Sequence, residues 1–238
     1  MRRILPGLLL LGMIAAPAFA QELYVVHGIN GTDLGLARGL PMDVKVGDQC
    51  RLQDLRFGDI EGPIELETGK YRVEFRLAEG PAPCGGTLVL VDDFSFALGE
   101  SAAVVAHLTP EAVITATRFR NDLRIAETES GFFGGIVTEG QARLVVRHAA
   151  AAPPLDVYAQ QPPAAPSRAF TALRSEEQGM AVIPGKSTML GLTVTGTRDL
   201  VLGPATRTLA PATDAIYYVV GSLEGGTLTL LTQNVPLR

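Results

Sequence analysis

The chain has 238 residues, 47% of them hydrophobic and 19% charged, which is enough to bury one large core or two domains of about 100 residues each. Its formal net charge is −5 and its basic residues are scattered, with no Lys/Arg block. Neutralising a phosphate backbone takes many basic groups at once, so nucleic acid is not an expected partner.

Residues 1–20 read as a signal peptide. Arg2 and Arg3 precede an apolar run from Leu8 to Ala16, and Ala18-Phe19-Ala20 has the small-x-small form of a cleavage site. Gln21 is then the mature N-terminus. The apolar run is shorter than the roughly 20 residues that cross a bilayer, so an uncleaved anchor is the weaker reading. No cysteine follows the site, which argues against a lipid anchor. Cleavage removes two of the 20 basic residues and leaves 18 against 25 acidic ones, a net charge of −7. No later apolar stretch is long enough to span a membrane as a helix. The mature chain is expected to be exported, periplasmic or extracellular, with no transmembrane segment.

From Gln21 onward the pattern is that of strands. Glu22 to His27 is a short apolar strand, ended by Gly28-Ile29-Asn30-Gly31, where Asn-Gly tolerates positive φ. Asn30-Gly31-Thr32 also fits a glycosylation acceptor, but turn chemistry comes first because the leader looks bacterial. A Gly-rich loop runs to Gly39, and Leu40 to Val46 forms the next strand. Tyr71-Arg72-Val73-Glu74-Phe75-Arg76-Leu77 alternates apolar and charged residues, which suits only a half-buried strand. Ile64 to Glu67 precedes it across the turn Thr68-Gly69-Lys70, and the two are expected to be adjacent strands. Leu88–Val91, Phe94–Phe96, Ser101–Leu108 and Ala112–Phe119 are further short strands. Helical spacing is nowhere sustained for three turns.

Residues 123–140 are polar and Gly-rich and read as a linker, with Phe132 and Phe133 expected to fill a cleft between domains. Beyond it the first region repeats. Leu144 to His148 matches Leu23 to His27, and Leu155-Asp156-Val157 matches Met42-Asp43-Val44. Val182 to Lys186 matches Leu66 to Lys70, Ile216 to Val220 matches Ala102 to Ala106, and Thr227 to Leu231 matches Val113 to Thr117. A Pro-rich loop, Gln161 to Pro166, replaces the Cys50 region. The expected plan is a leader (1–20), a first β-sandwich (21–122), a linker (123–140) and a second β-sandwich (141–238).

Cys50 and Cys84 are the only cysteines. An even pair in an exported chain is expected to close as a structural disulfide within the first domain, worth about 3–4 kcal/mol for this loop length. Their spacing is not C-x-x-C, so dithiol exchange is the lesser reading.

Val25-Val26-His27 with Pro41-Met42-Asp43-Val44, and Val145 to Ala149 with Pro154 to Tyr158, resemble the repeated signature of the DUF4397 family. Glu67 to Glu74 resembles that family's later strand motif. The resemblance covers nearly the whole mature chain, once per copy. It implies an immunoglobulin-like or transthyretin-like β-sandwich in an exported or surface protein, and brings no catalytic residues. The copies depart from the pattern in two places. The first inserts the long loop after His27, and the second carries Ser187-Thr188-Met189 where Tyr-x-Val is expected.

His27 and His148 occupy matched strand ends upstream of the matched acids Asp43 and Asp156. One His and one Asp are too few ligands for a metal, so hydrogen bonds that fix the first turn of each domain are expected instead. His107 is expected at the surface or in a loop. Ser101 and Ser222 lie outside any nucleophile elbow. Asp92-Asp93 and Glu176-Glu177 are sequence neighbours, which an extended chain points to opposite faces. No cofactor motif is present, and Tyr158, Tyr217 and Tyr218 are expected as core or rim residues. The expected function is a non-enzymatic binding or structural module of the cell envelope. Its partner would be a protein or other envelope component, contacted through Asn30, Thr32, Asp33 and Arg38 of the Gly-rich loop. The alternative is an enzyme or metal-dependent protein with a site between the domains.

Overall fold

A computed structural model describes residues 21–123 and 137–237. Residues 1–20, expected to be a leader, and the Phe132-Phe133 pair therefore lie outside the described residues. The first eight strands are β1 (Gln21–His27), β2 (Met42–Val46), β3 (Gln49–Leu55), β4 (Ile60–Leu66), β5 (Gly69–Leu77), β6 (Leu88–Phe96), β7 (Ser101–Leu108) and β8 (Ile114–Asn121). They build two sheets, ordered β4-β1-β7-β8 and β3-β2-β5-β6. The next eight are β9 (Gln141–Ala151), β10 (Leu155–Gln160), β11 (Ser167–Leu173), β12 (Gln178–Pro184), β13 (Ser187–Val194), β14 (Leu200–Thr208), β15 (Thr213–Ser222) and β16 (Thr229–Pro236). Their sheets are β12-β9-β15-β16 and β11-β10-β13-β14. Adding eight to each strand number turns one half into the other. The fold is two β-sandwiches of the same topology. An immunoglobulin sandwich keeps its first two strands in one sheet, whereas β1 and β2 lie in opposite sheets here, which leaves the transthyretin-like alternative.

The alternation of β5 does what the sequence implies. Val73 and Phe75 are buried in the first core, while Arg72, Glu74 and Arg76 face outward. Strands β7, β9 and β15 behave differently, being buried along nearly their whole length. A strand reads as a continuous apolar run when both faces of its sheet are covered. Alternate residues serve different cores: Ala102, Val104 and Ala106 of β7 face the first sandwich interior, while Ala103 and Val105 join Val145, Ile216, Tyr218 and Val220 of the second half. Sheets β4-β1-β7-β8 and β12-β9-β15-β16 thus pack face to face. The molecule has four sheet layers with apolar cores in all three gaps.

Several expectations need correction. Ile64–Glu67 and Tyr71–Leu77 are not paired, because β4 hydrogen-bonds to β1 and β5 to β2 and β6. Their connection crosses between the sheets. Leu88 to Phe96 is one strand rather than two, and β3, β11 and β14 give no clear apolar alternation because they are sheet edges rich in polar residues. Pro63 in β4 and Pro204 in β14 also sit on edges, where a missing N–H costs no ladder bond. The strand registers shift two repeat matches by one residue. His27 lies opposite Ala106 and His148 opposite Val219, so Ala102 corresponds to Ala215, and His107 to Val220. Likewise Leu66 corresponds to Ile183 and Thr68 to Gly185. Cys50 and Cys84 form a disulfide, with an S–S distance of 2.07 Å, that ties β3 to the β5–β6 loop.

Candidate functional site

His27 ends β1 and His148 lies near the end of β9, both fully buried. His27 Nε2 meets the Leu40 carbonyl at 2.8 Å, and its Nδ1 accepts the Ile29 N–H at 3.3 Å. His148 repeats both bonds, with the Pro153 carbonyl at 3.2 Å and the Ala150 N–H at 3.4 Å. A neutral ring with its proton on Nε2 satisfies all four contacts. Burial depresses both pKa values, that of His148 to about 4. With both nitrogens engaged, neither ring offers a lone pair to a metal.

The matched acids do an equivalent job one strand later. Asp43 accepts the Asp54 N–H at 3.1 Å and the Cys84 N–H at 2.7 Å. Asp156 accepts the Ala172 N–H at 2.9 Å and the Thr195 hydroxyl at 3.0 Å, with the Arg168 guanidinium 3.5 Å away. Asp54 and Ala172 hold corresponding places, each preceding the leucine that pairs with the start of β2 or β10, and both have positive φ, 56° and 50°. A carboxylate that satisfies the amide of a left-handed residue holds a bulge in place. The Ala172 N–H is the main reason the Asp156 carboxyl lies below its ordinary pKa. Asp43 also lies within 4.8 Å of the Cys50 and Cys84 sulfurs. Bonded to each other, those sulfurs are not thiolate ligands.

The Gly-rich loop is arranged differently from the expectation. Gly31–Leu34 forms a 3-10 helix capped by Asn30, whose side chain is buried and accepts both the Thr32 N–H and hydroxyl, at 3.1 and 2.8 Å. Asp33 accepts the Thr227 hydroxyl at 2.6 Å, and the Gly28 carbonyl accepts the Gly221 N–H at 3.2 Å. The loop therefore straps the first sandwich to the β15–β16 turn of the second. Asn30 and Asp33 are used within the molecule, while Thr32 and Arg38 remain exposed.

Between the inner sheets lie groups that sequence reasoning missed. Arg147, fully buried, donates to the Tyr218 hydroxyl and Gln178 of its own half, at 2.8 and 3.1 Å. It also donates to the Arg120 carbonyl and Asn121 of the other half, both at 2.8 Å. Its guanidinium lies 5.3 Å from the ring centres of Phe119 and Tyr218. Arg143 pairs with Asp214 at 3.1 Å and reaches the Asp122 carbonyl. Burial pushes the Asp214 carboxyl up to about 6 against the pull of Arg143. The available signal was Arg143-Leu144-Val145-Val146-Arg147: two arginines on one face of an otherwise apolar strand need buried partners. His107 is not a surface residue. It is fully buried, on the side of β7 that carries Ala103 and Val105, with Thr117 Oγ1 2.9 Å from Nε2 and the Leu108 carbonyl 3.0 Å from Nδ1. Tyr217 and Tyr218 are buried, and Tyr158 is half-buried with Arg168 stacked 5.4 Å from its ring centre.

The family model described as a domain of unknown function, DUF4397, matches residues 22–158. The chain belongs to the DUF4397 family. The DUF4397 match covers the first sandwich and continues into β10, so it takes in His27, Asp43, His148 and Asp156 together. No curated protein matches the chain. Among the described residues, no helix is long and apolar enough to cross a membrane.

Proposed function

We propose that this protein is an exported, non-enzymatic module of the cell envelope, made of two tandem DUF4397 copies and built to hold binding surfaces in fixed relation. The observation that carries this reading is the junction. Arg147 is held by hydrogen bonds from both halves inside a continuous apolar core, and the loop after His27 straps the same interface. Two sandwiches joined over a large apolar face move as one body, unlike domains that meet through a small polar contact. Duplication is supported by the identical strand order of the halves, and by the histidine and aspartate bonds repeated at matched positions. Export is supported by the leader-like residues 1–20 and by the disulfide, which persists in oxidising compartments. The partner is a protein or other envelope component.

In-cell crosslinking of a C-terminally tagged chain, followed by capture from the envelope fraction and mass spectrometry, tests this reading. A specific envelope component should be enriched over a tag-only control. Recovery of the chain from the cytosol with no envelope component enriched would overturn the proposal.

A further inference from the structure

The two sandwiches differ at one end. In the first, the two-residue turn Gly47-Asp48 joins β2 to β3, whereas in the second the longer connection 161–166 joins β10 to β11. The longer connection folds back over its own sandwich. The Gln161 side-chain amide donates to the Pro184 carbonyl and to the Thr188 hydroxyl, both at 2.8 Å, and Thr188 is fully buried.

The strand registers put Glu67 and Tyr71 where Pro184 and Thr188 stand. There the Glu67 carbonyl is reached by the hydroxyl of Tyr71, which also accepts the Glu67 N–H, both at 3.1 Å. The bond that the hydroxyl donates is longer than is usual for an O–H donor. Beside them lies an open cleft of about 880 Å³, walled by Val46, Leu66, Tyr71 and Leu98 and rimmed by Asp48 and Lys70. Its size is that of a ligand site. Leu98 is 70% exposed. Its counterpart in the second sandwich is Pro211, which packs closely on Gly185.

We propose that this cleft binds a glutamine-containing turn presented by a partner protein. The glutamine amide of that turn is directed at the Glu67 carbonyl, and a neighbouring proline lies on Tyr71 and Leu98. The second sandwich is the template, since Gln161 followed by Pro162 and Pro163 closes its corresponding end. A carbonyl oxygen has two lone pairs, so Glu67 accepts the incoming amide beside Tyr71 or in its place. In the template the Ala164 N–H closes a turn on the Gln161 carbonyl at 3.0 Å, and prolines stiffen such a turn before it docks, so little entropy is lost. The inference rests on the reading of the chain as a binding module and names the chemistry of what it binds.

The test is fluorescence anisotropy with a labelled peptide of residues 159–166, Ala-Gln-Gln-Pro-Pro-Ala-Ala-Pro, and the chain from Gln21 onward. Binding should saturate and weaken tenfold or more in Leu98→Asp, whose exposed position leaves the fold intact. Tyr71→Phe frees the Glu67 carbonyl and should tighten binding several-fold, and replacing the peptide's second glutamine by leucine should abolish it. Absence of saturation up to about 1 mM peptide, or equal affinity in Leu98→Asp, overturns the site. Envelope capture without peptide binding sinks this inference alone, whereas failure of capture sinks the broader reading.

Discussion

Arg147 and His148 are neighbours that point to opposite faces of β9, and each answers burial in its own way. Arg147 cannot lose its proton, so it collects acceptors and two aromatic faces from both halves of the molecule. His148 stays neutral and binds the backbone of the following turn. His27 and His107 are likewise buried, and burial lowers their pKa values too. The unfolded chain takes up protons at these rings near pH 6.5, whereas the folded chain resists until lower pH. Stability therefore falls as the pH drops below about 6.5, and for His148 it continues to fall to about 4. His148 alone accounts for about 3 kcal/mol at the acid end of that window. Glu177 beside His148 and Asp59 near His27 moderate the effect. Asp214 opposes it: its folded pKa is raised to about 6, so between about 6 and its ordinary value near 3.8 the fold takes up a proton that the unfolded chain does not. Three histidines outweigh one carboxyl. Urea midpoints at pH 7 and pH 4.5 should show a clear loss at the lower pH, shallower in His148→Gln, and a flat profile would contradict this account.

Among the elements, the β5–β6 loop and its counterpart after β13 show two solutions to one problem. Each folds back over the aspartate of the strand beside it, which bonds the Cys84 N–H in the first half and the Thr195 hydroxyl in the second half. Only the first adds a covalent tie. Replacing both cysteines by serine should cost about 3–4 kcal/mol in chemical denaturation while leaving the far-ultraviolet dichroism of a β-protein unchanged. A loss below about 1 kcal/mol would show that Asp43 alone suffices to hold the loop. Elements with one wet face were legible in the sequence, as the alternation of Tyr71 to Leu77 shows. Edge strands were not: Gln49 to Leu55 has polar residues on both sides because its sheet ends there. The pairing of β4 was also hidden, because a short connection serves a hairpin and a crossing between sheets equally well. Matched His and Asp residues were visible as a repeat, but their partners are backbone groups, which no side-chain pattern records. The role of the loop from Gly28 to Gly39 was hidden for a further reason, since Asp33 meets Thr227 nearly two hundred positions away.

At the scale of the whole molecule, the shared core between inner sheets makes the two sandwiches a single cooperative unit. Thermal or urea unfolding followed by near- and far-ultraviolet dichroism should give one coincident transition. Arg147→Ala, which leaves Asn121, Tyr218 and Gln178 without their donor, should lower stability by about 3–5 kcal/mol. Two separate transitions in the unmodified chain would show that the halves are independent. The doubly buried inner sheet also sets a schedule for the chain's own making. When the first sandwich is complete, the side of it that carries Val26, Ala103, Val105 and Phe119 has no cover until the second half follows. Because the chain emerges N-terminus first, that interval lasts as long as the second half takes to follow. Throughout it the half-made protein presents a greasy, nearly flat face to its surroundings, and a chaperone that shields it would have its task finished by the chain itself.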